Sequence, residues 1–195
     1  MSINQIIPED IHAREEYINI RAQLRKEIVH RKKKRRVDIG PNVTLYFENK
    51  DTIIHQINEM VFIENGGKEQ ILEEIDAYKS LIPNGKELIA TVMVEIDNPN
   101  KRAQALSNMG GFEETFNIKL DDKIIEGNAE LDVDRTTADG KASSVQFVHF
   151  HFSEEDIKCF RSENSRIEIS INHVAYTHAT TLQEDTKNEL VGDFK

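Results

Sequence analysis

The chain has no tryptophan, one cysteine and four prolines in 195 residues. The lone Cys159 excludes an intrachain disulfide, and it excludes an iron–sulfur cluster ligated by the cysteines of one chain. No apolar run approaches the roughly 18 residues that a membrane-spanning helix needs. The opening residues lack a basic stretch followed by an apolar one, so no secretory signal is expected. A reducing, cytoplasmic location is the expectation, with no membrane partner. Also missing are the phosphate-cradling patterns G-x-G-x-x-G and G-x-x-x-x-G-K-[ST], the nucleophile elbow G-x-S-x-G and the zinc motif H-E-x-x-H. With no complete catalytic or cofactor motif, the sequence leans away from an enzyme.

What is present is a globular composition, 38% hydrophobic and 31% charged, in a chain long enough to bury a real core. The net charge of -10 is uneven. Residues 1–36 hold ten Lys/Arg against five Asp/Glu, so the rest of the chain is strongly acidic. A phosphate backbone would be repelled by most of that surface, which argues against a general nucleic-acid binder.

Hydrophobic spacing predicts a helix over 8–34, closed by the basic run Arg31, Lys32, Lys33, Lys34, Arg35 and Arg36. Short strands follow at 36–39 and 43–47, separated by Gly40-Pro41-Asn42. Asp51 is placed to cap a helix over 52–64, and a short Gly66-Gly67 loop leads to a second helix through Ile71 and Tyr78. Beyond Pro83 the period changes to two. Strands are predicted at 88–96, 112–120, 124–134, 143–152 and 166–172, with short helices at 101–109 and 154–161 and a helical tail at 182–194. The fold class is α+β: a mostly antiparallel meander sheet with an N-terminal helix, a helix hairpin and short C-terminal helices. One domain is expected, a mostly helical part (1–82) packed on a sheet-rich part (86–180) and followed by a terminal helix (181–195).

Four of the seven histidines fall between 149 and 178. His149 and His151 alternate on a strand and share one face, while His173 and His178 flank Val174-Ala175-Tyr176-Thr177. Three imidazoles with an open position suit zinc or iron, and Tyr176 is a candidate proton donor beside His178. Convergence depends on direction. If strands 143–152 and 166–172 run parallel, the histidines gather at their carboxyl ends; if antiparallel, the pairs lie at opposite ends. A second pair, His55 and Glu59 at i,i+4, could add a carboxylate and an imidazole to a metal site or form a plain surface pair. The basic run 31–36 has no interleaved aromatics to stack on bases, so it reads as a surface for an acidic partner or a polyanion.

Taken in order, His30-Arg31-Lys32, Arg36-Val37-x-Ile39-Gly40, Val43-Thr44-Leu45-x-Phe47-Glu48 and Gln56-x-x-Glu59-Met60-x-x-Ile63-Glu64 resemble a bacterial domain-of-unknown-function family, number three five zero one. Leu81-Ile82-Pro83-x-Gly85, Ser144-Val145-x-Phe147-Val148-x-Phe150 and His173-x-x-Tyr176-x-His178 extend the likeness over nearly the whole chain. Phe62 and His55 depart from the family pattern. So does His151, whereas His149, His173 and His178 fit it. The resemblance carries no established activity. Genes of this family often lie beside rubrerythrin and a heterodisulfide-reductase-like iron–sulfur protein, which implies an accessory role with a redox or peroxide-defence partner. A metal-dependent enzyme built on His149, His173 and His178 is the alternative, and a nucleic-acid-binding regulator using the basic run is a third.

Overall fold

Burial alternates along most of the predicted strands, and these segments form one sheet in the computed structural model, which describes residues 5–130 and 140–195. The strands are β1 (Arg36–Ile39), β2 (Val43–Glu48), β3 (Glu87–Val94), β4 (Phe116–Leu120), β5 (Lys123–Ala129), β6 (Val145–His151), β7 (Ile167–His173) and β8 (Tyr176–Thr181). Every neighbouring pair is antiparallel, in the order β1-β2-β3-β6-β5-β4-β7-β8. Six α-helices accompany the sheet among the described residues: α1 (Arg14–Lys34), α2 (Lys50–Ile63), α3 (Lys68–Tyr78), α4 (Pro99–Ser107), α5 (Glu154–Arg161) and α6 (Glu184–Val191). The α+β class and the antiparallel sheet are as expected.

Several boundaries differ. The first helix begins at Arg14, because Pro8–Asp10 forms a separate 3-10 turn that ends at an extended Ile11. Helix α2 is capped by Asn49, whose side chain accepts the Thr52 N–H, and Asp51 lies inside its first turn. Phe112–Glu114 is a 3-10 turn, so β4 starts only at Phe116. Strand β8 has no counterpart in the sequence reading. The predicted extension of β5 to 134 runs outside the described residues.

The two faces of the sheet have different work. One face carries Val43, Leu45, Phe47, Leu88, Ala90, Val92, Val148, Phe150, Ile118, Ile169 and Ile171, all within one buried cluster. Their sharing of one interior requires the sheet to curl, and the edges do approach. The Tyr176 hydroxyl donates to the Ile39 carbonyl at 2.7 Å and accepts the Asn42 N–H at 3.0 Å, joining β8 to the β1–β2 turn. Gly40 sits in that turn at φ 69°, where a Cβ would come within 2.6 Å of the His178 ring. Glycine is needed there twice over, for the left-handed backbone and for the close approach.

The interior of the curled sheet is filled. A Cβ on Gly127 would lie 2.6 Å from Val148, and Phe152, Phe160 and Phe194 pack edge to face at the end where α5 and α6 sit. The outer face of β3 and β6 carries a second cluster, in which Ile89 and Phe147 meet Ile53, Ile57 and Val61 of α2 together with Ile71 and Ile75 of α3. Helix α1 lies on α2.

Two substitutions test the seam. Tyr176→Phe removes the partner of the Ile39 carbonyl and of the half-buried Asn42 N–H and should cost about 1–3 kcal/mol in urea unfolding. Gly40→Ala, strained and sterically opposed, should cost at least as much. Unchanged midpoints for both would mean that the edges do not meet.

Candidate functional site

Antiparallel pairing from β6 through β5 and β4 to β7 places β6 and β7 antiparallel. His149 therefore lies toward the α5–α6 end on the outer face, while His173 and His178 lie at the opposite end on the inner face. The expected set His149, His173 and His178 does not converge. Among the described residues no group of three or more His, Cys, Asp or Glu is arranged to hold a metal ion. The two inner histidines are structural. Nε2 of His173 donates to the Gly110 carbonyl at 3.1 Å and Nδ1 accepts the Ala175 N–H at 3.1 Å, the pattern of an Nε2–H tautomer held at both nitrogens. His178 packs on Tyr176, ring centroids 4.4 Å apart, and against Gly40. Tyr176 is no free proton donor: both hydrogen-bonding roles of its hydroxyl are taken, and burial raises its pKa despite backbone N–H groups that lower it.

His149 has different company. Its Nε2 is 2.8 Å from Glu130, and its Nδ1 is 3.5 Å from Glu87. His151 lies beside it with its ring stacked at 6.2 Å, and its Nδ1 is 3.3 Å from the same Glu87 oxygen. The register explains the triad, because Glu87 pairs directly with His151 and so shares the face of both histidines. Burial opposes charge on His149, but the two carboxylates outweigh it and raise its pKa. Burial likewise opposes charge on Glu87, yet His149 and the Asn84 N–H hold its pKa below the ordinary value. The cluster sets the His149 ring between two carboxylates that favour its protonated form. The two near-parallel rings send their Nδ1 atoms to one carboxylate oxygen.

On α2, His55 and Glu59 do not act as a pair. Glu59 accepts two hydrogen bonds from Arg21 at 2.7 and 2.8 Å and one from Tyr17 at 2.8 Å, and these partners, Arg21 first, bring its pKa down to about 2. Arg21 also lies over the Phe62 ring, 4.6 Å from its centroid, so the aromatic at 62 completes a clasp between α1 and α2. His55 instead lines a cavity of about 320 Å³ between these helices with His12, Leu24, Ile54 and Asn58. Burial lowers its pKa, reinforced by Lys32 and arginines against the pull of Glu59.

The basic run is not one patch. Arg35 is 1% exposed: Nε donates to the Phe47 carbonyl at 2.8 Å, one terminal nitrogen donates to the Glu48 carbonyl at 3.1 Å and pairs with Asp193, and the other lies 3.6 Å from Glu189. It ties the α1–β1 corner to α6 and is withdrawn from any partner. Arg31 pairs with Asp51, and Arg36 with Asp38. Lys32 faces a second cavity, and Lys33 and Lys34 are exposed.

That second cavity, about 390 Å³, lies between the outer sheet face and α2, with Glu48, Thr91, Tyr46, Tyr78 and Phe147 among its walls. No motif along the chain points to it. Glu48, Glu87 and Glu130 are unremarkable in order along the chain, and only strand register brings them beside their partners.

Over residues 5–194 the chain matches the family described as "Protein of unknown function (DUF3501)". It belongs to that family. A DUF3501-like architecture recurs in a solved structure: over the full length of both chains it is similar, at 29% identity and a TM-score of 0.91, to the crystal structure of a novel protein of unknown function from Burkholderia pseudomallei K96243. No curated protein matches it. Among the described residues, no helix is long and apolar enough to cross a membrane.

The histidine cluster has a definite pH signature. A raised His149 pKa contributes stability that is fully present below the unfolded value of 6.5 and is lost as pH rises through the folded value. The lowered Glu87 contributes above 4.5 and is lost as pH falls. Nuclear magnetic resonance titration of the His149 ring should therefore give a midpoint above 6.5 that drops in Glu130→Gln. A wild-type midpoint at or below the ordinary value contradicts the assignment.

Proposed function

We propose that this chain is an accessory protein that binds a redox or peroxide-defence partner and does no chemistry of its own. The observation that carries this reading is the outer stripe of α1. Tyr17, Leu24 and Ile28 turn inward, while Ile18, Ala22, Arg25, Val29 and Lys33 follow one another along the opposite side at helical spacing. Ile18 and Val29 are 55% and 53% exposed in a helix with no need to display them for its own packing. Apolar anchors flanked by Arg25, Lys26 and Lys33 suit an acidic partner face, with charge steering the encounter and the apolar pair holding it. The cationic contribution thus comes from exposed residues along the helix and not from the whole run 31–36. A rubrerythrin-like or iron–sulfur protein is the first partner to test, on the strength of the family resemblance.

Affinity capture from a bacterium that encodes this chain, at low salt, should recover such a redox protein. Ile18→Asp/Val29→Asp should lose it while keeping the wild-type unfolding midpoint. Equal recovery by wild type and variant, or recovery of nucleic acid in place of a redox protein, contradicts the proposal.

A further inference from the structure

The cavity between α2 and the outer face of β2, β3 and β6 is lined by a buried carboxylate, Glu48, that makes no ion pair among the described residues, although Lys32 lines the same cavity. Glu48 is 7% exposed, and its two oxygens accept from the hydroxyls of Thr91 at 2.7 Å and Thr52 at 2.5 Å. Among the described residues, no lysine, arginine or histidine comes within ion-pair distance of it. A carboxylate offers about four acceptor positions, so two hydroxyls use only half of them. Burying such a group costs several kcal/mol unless it is paired, and hydroxyls recover less of that cost than a cation would.

The surroundings narrow the ligand. Tyr46, Tyr78 and Phe147 line the same cavity, and Gln56 and Lys32 complete its polar part. Aromatic walls around a buried carboxylate match an ammonium group joined to an apolar body, through charge pairing and cation–π attraction together. The base is also rigid. Arg35 holds the Phe47 and Glu48 carbonyls, and Thr52 is fixed in the first turn of α2 by its reciprocal bonds with Asn49. Glu48 is therefore presented on a preorganised strand end.

We propose that this cavity is a binding site for a small organic ammonium ligand, with Glu48 as the anionic contact and Tyr46, Tyr78 and Phe147 as the walls. The site is separate from the α1 stripe, and either can exist without the other.

The test is calorimetric titration of the full chain with phenethylamine and with 2-phenylethanol, its neutral counterpart of nearly equal shape, at neutral pH, with amide shifts mapping the site. The amine should bind saturably at Tyr46, Thr91 and Phe147, and the alcohol at least about tenfold more weakly, a difference of about 1.4 kcal/mol. Glu48→Gln, close to isosteric, should remove that preference. Equal affinity for the two compounds, no saturable binding, or an undiminished preference in Glu48→Gln overturns the proposal. If Glu48→Gln does not fold, the wild-type comparison alone decides: shifts elsewhere or absent discrimination overturn it, and discrimination at these residues supports it. The overturning results would leave Glu48 as a bracket that fastens α2 to the sheet.

Discussion

The structure turns on the meeting of its two edge strands. An eight-stranded antiparallel sheet left open would expose two rows of unpaired backbone groups. Here a single phenol bridges the seam, accepting from one side of the Gly40 turn and donating to the other. Gly40 lets the backbone come close enough for this, since any side chain would strike His178. Once the edges meet, the inner face must be filled by its own side chains, and core residues of β1 to β7, with the half-buried Tyr176 of β8, crowd into one interior. Groups with chemistry are then left to the outer face, under and beside the helices.

Three glutamates on that outer layer illustrate how differently one residue type is used. Glu59 is saturated by Arg21 and Tyr17 and serves to clasp α1 to α2. Glu87 lies between two histidines, and His149 helps hold its pKa down. Glu48 has only hydroxyls. Charge compensation decreases along this series while burial stays high, and what each carboxylate can still do changes accordingly. The first is a fastener, the second responds to pH, and the third keeps acceptor capacity for something from outside. The same economy of partners accounts for Arg35, which looks like one cation among six in the sequence and is spent entirely on Asp193, Glu189 and two carbonyls.

Local structure was largely legible because its signals are local. Helix α5 was read to the residue, since Ser153 and Asp156 form a reciprocal cap around its first turn. The start of α2 was less so: Asn49 and Asp51 are both good caps, and their order of use depends on where β2 ends. Strand β8 was missed because Thr177, Ala179 and Thr181 give no apolar alternation, and its pairing partner and the seam, not its own pattern, make it a strand. The histidine quartet failed for a non-local reason. Alternation placed His149 and His151 on one face, but whether β6 and β7 run parallel is set by two intervening strands. Glu87, 62 positions from His149 in the chain, is its neighbour only through register. The family resemblance, now extended over residues 5–194, could not supply these contacts either.

The approach of the two sheet edges holds the structure together, and nuclear Overhauser spectroscopy tests it most directly. A Gly40 α-proton should show a strong cross-peak to the ring protons of His178 and Tyr176, since a carbon at the Cβ position would be 2.6–2.7 Å from those side chains. Cross-peaks from Gly40 to its chain neighbours alone, with none to either ring, would contradict the meeting of β8 with the β1–β2 turn.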